Sequence, residues 1–146
     1  MESEITLHIV LIKPTPNVVF GLQKGSGSNY ETIQKQISTS NDLSFTFTVK
    51  VKGERSKDTF PKLSGSFVQG PTDNKFVYID IGTAAGQPDT LWSRRLKIPL
   101  TGITWQDIDS LLGNSMLEAI VAGTDKDGGP NCATVKPFEG WHLKHT

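Results

Sequence analysis

Between Leu43 and Lys52 apolar and polar residues alternate without a break. Leu43, Phe45, Phe47, Val49 and Val51 stand against Ser44, Thr46, Thr48, Lys50 and Lys52. Successive side chains of a strand point to opposite faces, so the segment reads as a β-strand with one dry face and one wet face. A helix would scatter the same apolar residues around its circumference. The chain must therefore build a sheet backed by a core.

The same period recurs elsewhere. Ile5 to Ile12 alternates until Pro14 and Pro16 stop it. Val18, Phe20 and Leu22 form a second, short run, closed by Gly25-Ser26-Gly27-Ser28. Tyr30 to Ile37 carries both a helical spacing (Ile33, Ile37) and a strand alternation (Thr32, Gln34, Gln36), and strand is preferred because it feeds the clear strand after it. Glu54 to Lys62 is a polar connection, and Phe67 to Gln69 reads as a short strand before Gly70-Pro71. Lys75 to Ile81 is apolar on both faces and is expected to be central. Trp92 to Leu100, Leu117 to Ala122, Cys132 to Lys136 and Gly140 to His145 complete the strands. One helix is marked near residues 104–112: Thr104 can cap it, Asp107 completes a capping box, and Gly113 can end it. Together these elements predict a mainly β fold, an antiparallel β-sandwich or β-barrel of about eight strands with one short α-helix. With 146 residues and no linker, the expectation is a single domain over 1–146.

Fifteen basic and fifteen acidic residues cancel. Proteins that bind nucleic-acid phosphates carry a basic excess, so no nucleic-acid partner is expected. No apolar run approaches the ~20 residues of a membrane helix, so no membrane partner is expected. The single cysteine, Cys132, excludes an internal disulfide and suits a reducing compartment, and the acidic start Met1-Glu2-Ser3-Glu4 is unlike a secretion signal. The expected location is cytoplasmic.

The segment Trp92-Ser93-Arg94-Arg95-Leu96-Lys97-Ile98-Pro99-Leu100 is the most informative about a site. Arg95 and Lys97 share a parity with Pro99 and are expected to face water. Arg94 shares its parity with Trp92, Leu96 and Ile98 and is expected to point toward the apolar side. An inward charge needs a partner. Asp80, which shares its parity with Phe76 and Tyr78, raises the same demand. Two readings stay open: Arg94 and Asp80 satisfy one another, or Arg94 joins Trp92, Tyr78 and Asp80 around a pocket for a polar or anionic small molecule. A slip of one residue in register would turn Arg94 outward.

Other motifs carry less. Asp125-Lys126-Asp127-Gly128-Gly129-Pro130-Asn131 has acids at alternate positions but Lys136 where a calcium loop needs glutamate, so it reads as a turn. Gly25 to Ser28 lacks the lysine of a phosphate loop. His8, His142 and His145 show no metal-ligand spacing, and no metal or cofactor is expected. No GxSxG elbow is present, and nothing in sequence activates Cys132.

Several stretches carry a likeness together: Pro16 to Gly25, Phe67 to Pro71 with Phe76 to Thr83, Trp92 to Leu100 followed by Gly102-Ile103-Thr104-Trp105, and Gly123 to Pro130. In these the chain resembles a bacterial family of uncharacterised proteins, domain-of-unknown-function family 5990, over nearly its whole length. The resemblance implies a bacterial protein and transfers no catalytic residue. The leading expectation is a small-molecule-binding β domain with an apolar and aromatic pocket and an inward arginine. The alternatives are an enzyme whose acid and base groups converge from separate strands, and a protein–protein interaction domain.

Overall fold

The computed structural model describes residues 3–26, 29–68, 75–84, 94–111, 115–122, 133–134 and 140–145. Trp92, Cys132 and the loop from Asp125 to Asn131 lie outside them. Ten strands form two five-stranded sheets. The first holds β10 (His142–His145), β8 (Ser115–Ala122), β1 (Ser3–Ile12), β4 (Leu43–Lys52) and β5 (Lys62–Ser64), in that spatial order. The second runs β3 (Asn29–Ile37), β2 (Val18–Ser26), β6 (Phe76–Ala84), β7 (Arg94–Pro99), β9 (Ala133–Thr134). Among the described residues the sheets do not close on each other, so the fold is a sandwich and not a barrel. Pairing is antiparallel except for β1 with β8 and β7 with β9, which run parallel.

The alternation read from the sequence sets the core. On β4 every odd residue is buried and every even one exposed. Ile5, Leu7, Ile9 and Leu11 of β1 pack inward beside them, and Leu117, Ala119 and Val121 do so from β8. Phe20, Leu22, Val77, Ile79, Ile81, Leu96 and Ile98 supply the facing layer from the second sheet. β6 is central, as its two apolar faces suggest, and β3 is a strand. At one side the sheets are laced by side chains. Gln34 and Gln36 of β3 donate from Nε2 to the carbonyls of Thr46 and Ser44 on β4, at 2.8 and 2.5 Å. Backbone acceptors of β4 beyond the reach of β5 are satisfied in this way.

One expectation needs correction. Phe67 and Val68 lie in a turn and not in a strand: Val68 N–H donates to Gly65 O, and the Phe67 ring packs on Phe47 with centroids 5.5 Å apart. An apolar pair bounded by glycine and proline is as well served by docking on a sheet as by joining one. The helix α1 spans Trp105–Asp109, within the stretch expected to hold it. Its capping box forms as read, with Thr104 Oγ1 accepting from Asp107 N–H at 3.1 Å and Asp107 Oδ2 accepting from Thr104 N–H at 2.8 Å. The end comes from Ser110, whose hydroxyl bonds the Gln106 carbonyl, and from Leu111 N–H, which tightens onto Ile108 O.

Candidate binding site

The outer face of the second sheet gathers two of the residues singled out from the sequence. Antiparallel partners share a face, and Asp80 on β6 lies opposite Arg95 on β7. Asp80 is 1% exposed although it points away from the sandwich core. Arg95 donates to it twice, Nε to Oδ1 at 2.6 Å and Nη2 to Oδ2 at 2.9 Å. The guanidinium also lies 4.2 Å from the centre of the Tyr78 ring. One step along the strands, Lys97 Nζ sits 4.0 Å from the Phe76 ring centre, and the two rings pack at 4.9 Å.

Among the described side chains the partner of Asp80 is thus Arg95. Arg95 is half-buried rather than freely solvated, because a cross-strand carboxylate draws it down onto the sheet. The backbone of Arg94 pairs with Ile81, and its side chain, like Trp92, lies outside the described residues. Tyr78 and Asp80 come together, but the bidentate pair already occupies both carboxylate oxygens.

A cavity of about 520 Å³ opens elsewhere, at the end of the sandwich where the two sheets meet. One wall is the connection from β4 to β5, Lys57 to Leu63; the other is Lys75, just before β6, with the Leu100–Ile103 turn after β7. The two strand ends of the second wall are tied by Leu100 N–H donating to Lys75 O at 2.9 Å. Leu63, Leu100 and Ile103 are buried members of the core, while Phe60 is 52% exposed.

The first wall is held in place by α1. Trp105 Nε1 donates to Asp58 O at 2.9 Å. Arg55 lies 4.8 Å from the Trp105 ring centre and pairs twice with Asp109, at 2.5 and 2.8 Å. Asp58 Oδ2 accepts from Glu54 N–H at 2.7 Å and folds the loop back on itself. This turn requires Gly53: its φ is +109°, and a Cβ there would stand 2.8 Å from Asp58 Oδ2.

The chemistry of the cavity is mixed. Lys57, Lys62 and Lys75 line it against a single acid, Asp58. Lys57 pairs with Glu54 at 3.3 Å and Lys62 with Asp58 at 3.8 Å. Among the described residues no group of three or more His, Cys, Asp or Glu is placed to hold a metal ion.

The model of a family of unknown function, DUF5990, matches residues 5–144. The chain belongs to that family. No curated protein and no solved structure matches it. The DUF5990 match spans both sheets, α1 and both cavity walls, so the cavity is a feature of the family-matched region.

The outer face of the first sheet carries a polar row that sequence reasoning passed over. Thr46, His8, Glu118 and His142 are successive cross-strand partners on β4, β1, β8 and β10. His8 Nδ1 lies 2.7 Å from Thr46 Oγ1, its Nε2 3.8 Å from Glu118, and Glu118 is bonded by Lys144 at 2.8 Å. Desolvation lowers the His8 pKa from its ordinary value of 6.5; Lys144 adds to the lowering and Glu118 opposes it. The cavity was missed for a different reason. Its walls come from three distant stretches of connecting chain, and no periodicity announces them.

Proposed function

We propose that this DUF5990 member is a small-molecule-binding β module, with the cavity at the end of the sandwich as its binding site. The supporting observation is the cavity itself. A volume of about 520 Å³ lies within the roughly 300–1,000 Å³ of ligand pockets, and its floor is core hydrocarbon while its rim is polar. Tyr78 and Asp80 belong in this reading to the second sheet's own outer surface, with Asp80 paired to Arg95. The module is read as cytoplasmic, which its lone cysteine supports.

The test is thermal unfolding against a panel of small polar and amphipathic molecules. A ligand that binds only the folded chain stabilises it by about 2.7 kcal/mol at a hundredfold excess over Kd. A saturable rise in Tm that disappears when the Leu63–Leu100 end is blocked supports the reading. A flat response across the panel contradicts it.

No described helix is long and apolar enough to cross a membrane. The observation favouring a second reading, an enzyme, is the Thr46–His8–Glu118 row, where an imidazole joins a hydroxyl to a carboxylate. That row lies on an open sheet face away from the cavity residues, which is why binding is preferred.

A further inference from the structure

We infer that the ligand is an apolar monoanion, an aryl or alkyl group ending in one carboxylate or sulfonate, with Lys75 receiving the charge. The inference rests on the cavity being a binding site and adds the class of molecule it takes.

Charge on the cavity wall carries it. The chain as a whole is neutral, yet three lysines and one aspartate line this cavity. Two of the lysines are already answered, Lys57 by Glu54 and Lys62 by Asp58. Both are mostly solvated, with side chains 77% and 57% exposed. Lys75 is half-buried and forms no ion pair among the described residues. Among the described residues the wall keeps one positive charge without an ion-pair partner, which a single acidic group would balance.

The lining that shares the cavity with that charge includes a set of apolar side chains. Leu63, Leu100 and Ile103 form the buried floor, and Phe60 and Pro61 stand on the opposite wall. A small inorganic anion would gain Lys75 but leave this surface wet, while a neutral hydrocarbon would fill the floor and leave the ammonium without a partner. An amphipathic acid does both: its apolar body displaces water from the floor, and its head group forms a charge-assisted hydrogen bond. The exposed Phe60 ring offers a face for a flat ligand to pack on.

The experiment compares two fluorescent probes of nearly the same shape, anionic 8-anilinonaphthalene-1-sulfonate and neutral N-phenyl-1-naphthylamine. Each is titrated into the native chain, Lys75→Met and Lys35→Met, with methyl NMR of Leu63, Leu100 and Ile103 locating the probe. Methionine keeps an apolar stem and removes the charge, and far-UV circular dichroism checks that both variants are folded. The expected result is that the sulfonate shifts these methyls and loses about tenfold in affinity, or about 1.4 kcal/mol, in Lys75→Met. The neutral probe is expected to bind both forms equally, and Lys35→Met, an exposed position on β3 away from the cavity, to behave as native. Equal binding of the two probes to the native chain, or a sulfonate affinity untouched by Lys75→Met, would overturn the ligand class and leave the binding site standing. Failure of both probes to move the three methyls would overturn both.

Discussion

Arg95 and Asp80 face each other across β6 and β7 in a two-point ion pair, 2.6 and 2.9 Å, on the outer side of the second sheet. The carboxylate is almost wholly buried while the arginine side chain keeps 23% of its exposure. Such a pair is worth little compared with a well-packed apolar substitute, but breaking it strands a charge. Arg95→Ala is expected to destabilise the fold by about 3 kcal/mol, the lower end for a buried pair because water reaches the vacated site. Arg95→Ala combined with Asp80→Asn should recover a large part of that loss. Urea unfolding of the two variants checks it, and equal losses would show that Asp80 does not depend on Arg95.

The parity argument from the sequence reached this pair by half. It placed Asp80 with Tyr78 and Phe76 on one face, and that is where they lie. Pairing Asp80 with Arg94 required a side-by-side register that a single strand does not reveal, since alternation within a strand says nothing of what lies opposite. The clear amphipathic strand β4, central β6 and the Thr104 capping box were legible because each is written in contiguous residues. The turn at Phe67, the parallel placement of β8 against β1 and the cavity were not, because each depends on contacts between distant segments.

The cavity wall from Lys57 to Leu63 depends on two residues outside it, Gly53 and Trp105. Trp105→Phe keeps the ring and removes the bond to Asp58 O, with an expected loss of about 1 kcal/mol. Gly53→Ala forces a side chain into a positive φ and against Asp58, and should cost more than the roughly 1 kcal/mol of an ordinary glycine effect. Both variants should speed amide hydrogen exchange at Glu54 and Asp58 while leaving β1 and β4 protected. Unchanged exchange in this loop would show that α1 does not brace it.

His8 gives the fold a pH dependence of known sign. Its pKa is lowered in the folded state, so the unfolded chain takes up the proton first as pH falls. Stability is full above about pH 6.5, the unfolded value, and declines as pH drops from there through the folded value. His8→Gln retains a polar partner for Thr46 and should flatten this part of the stability curve. An NMR titration placing the His8 midpoint at or above 6.5 would contradict the lowering that burial, and after it the Lys144 charge, impose on the ring.

The central claim, that the end of the sandwich is a ligand site, is tested most directly by filling it. Thr101 is exposed, lines the cavity and lies outside every strand and α1, so Thr101→Trp can occupy the opening without disturbing the core. The measurement is a heteronuclear NMR titration of native and Thr101→Trp chains with 8-anilinonaphthalene-1-sulfonate. The account predicts saturable shifts at Leu63, Leu100 and Ile103 in the native chain and their loss in the filled variant, with both spectra otherwise those of the folded protein. Equal binding by the two chains, or shifts confined to the Tyr78–Asp80 face, would contradict it.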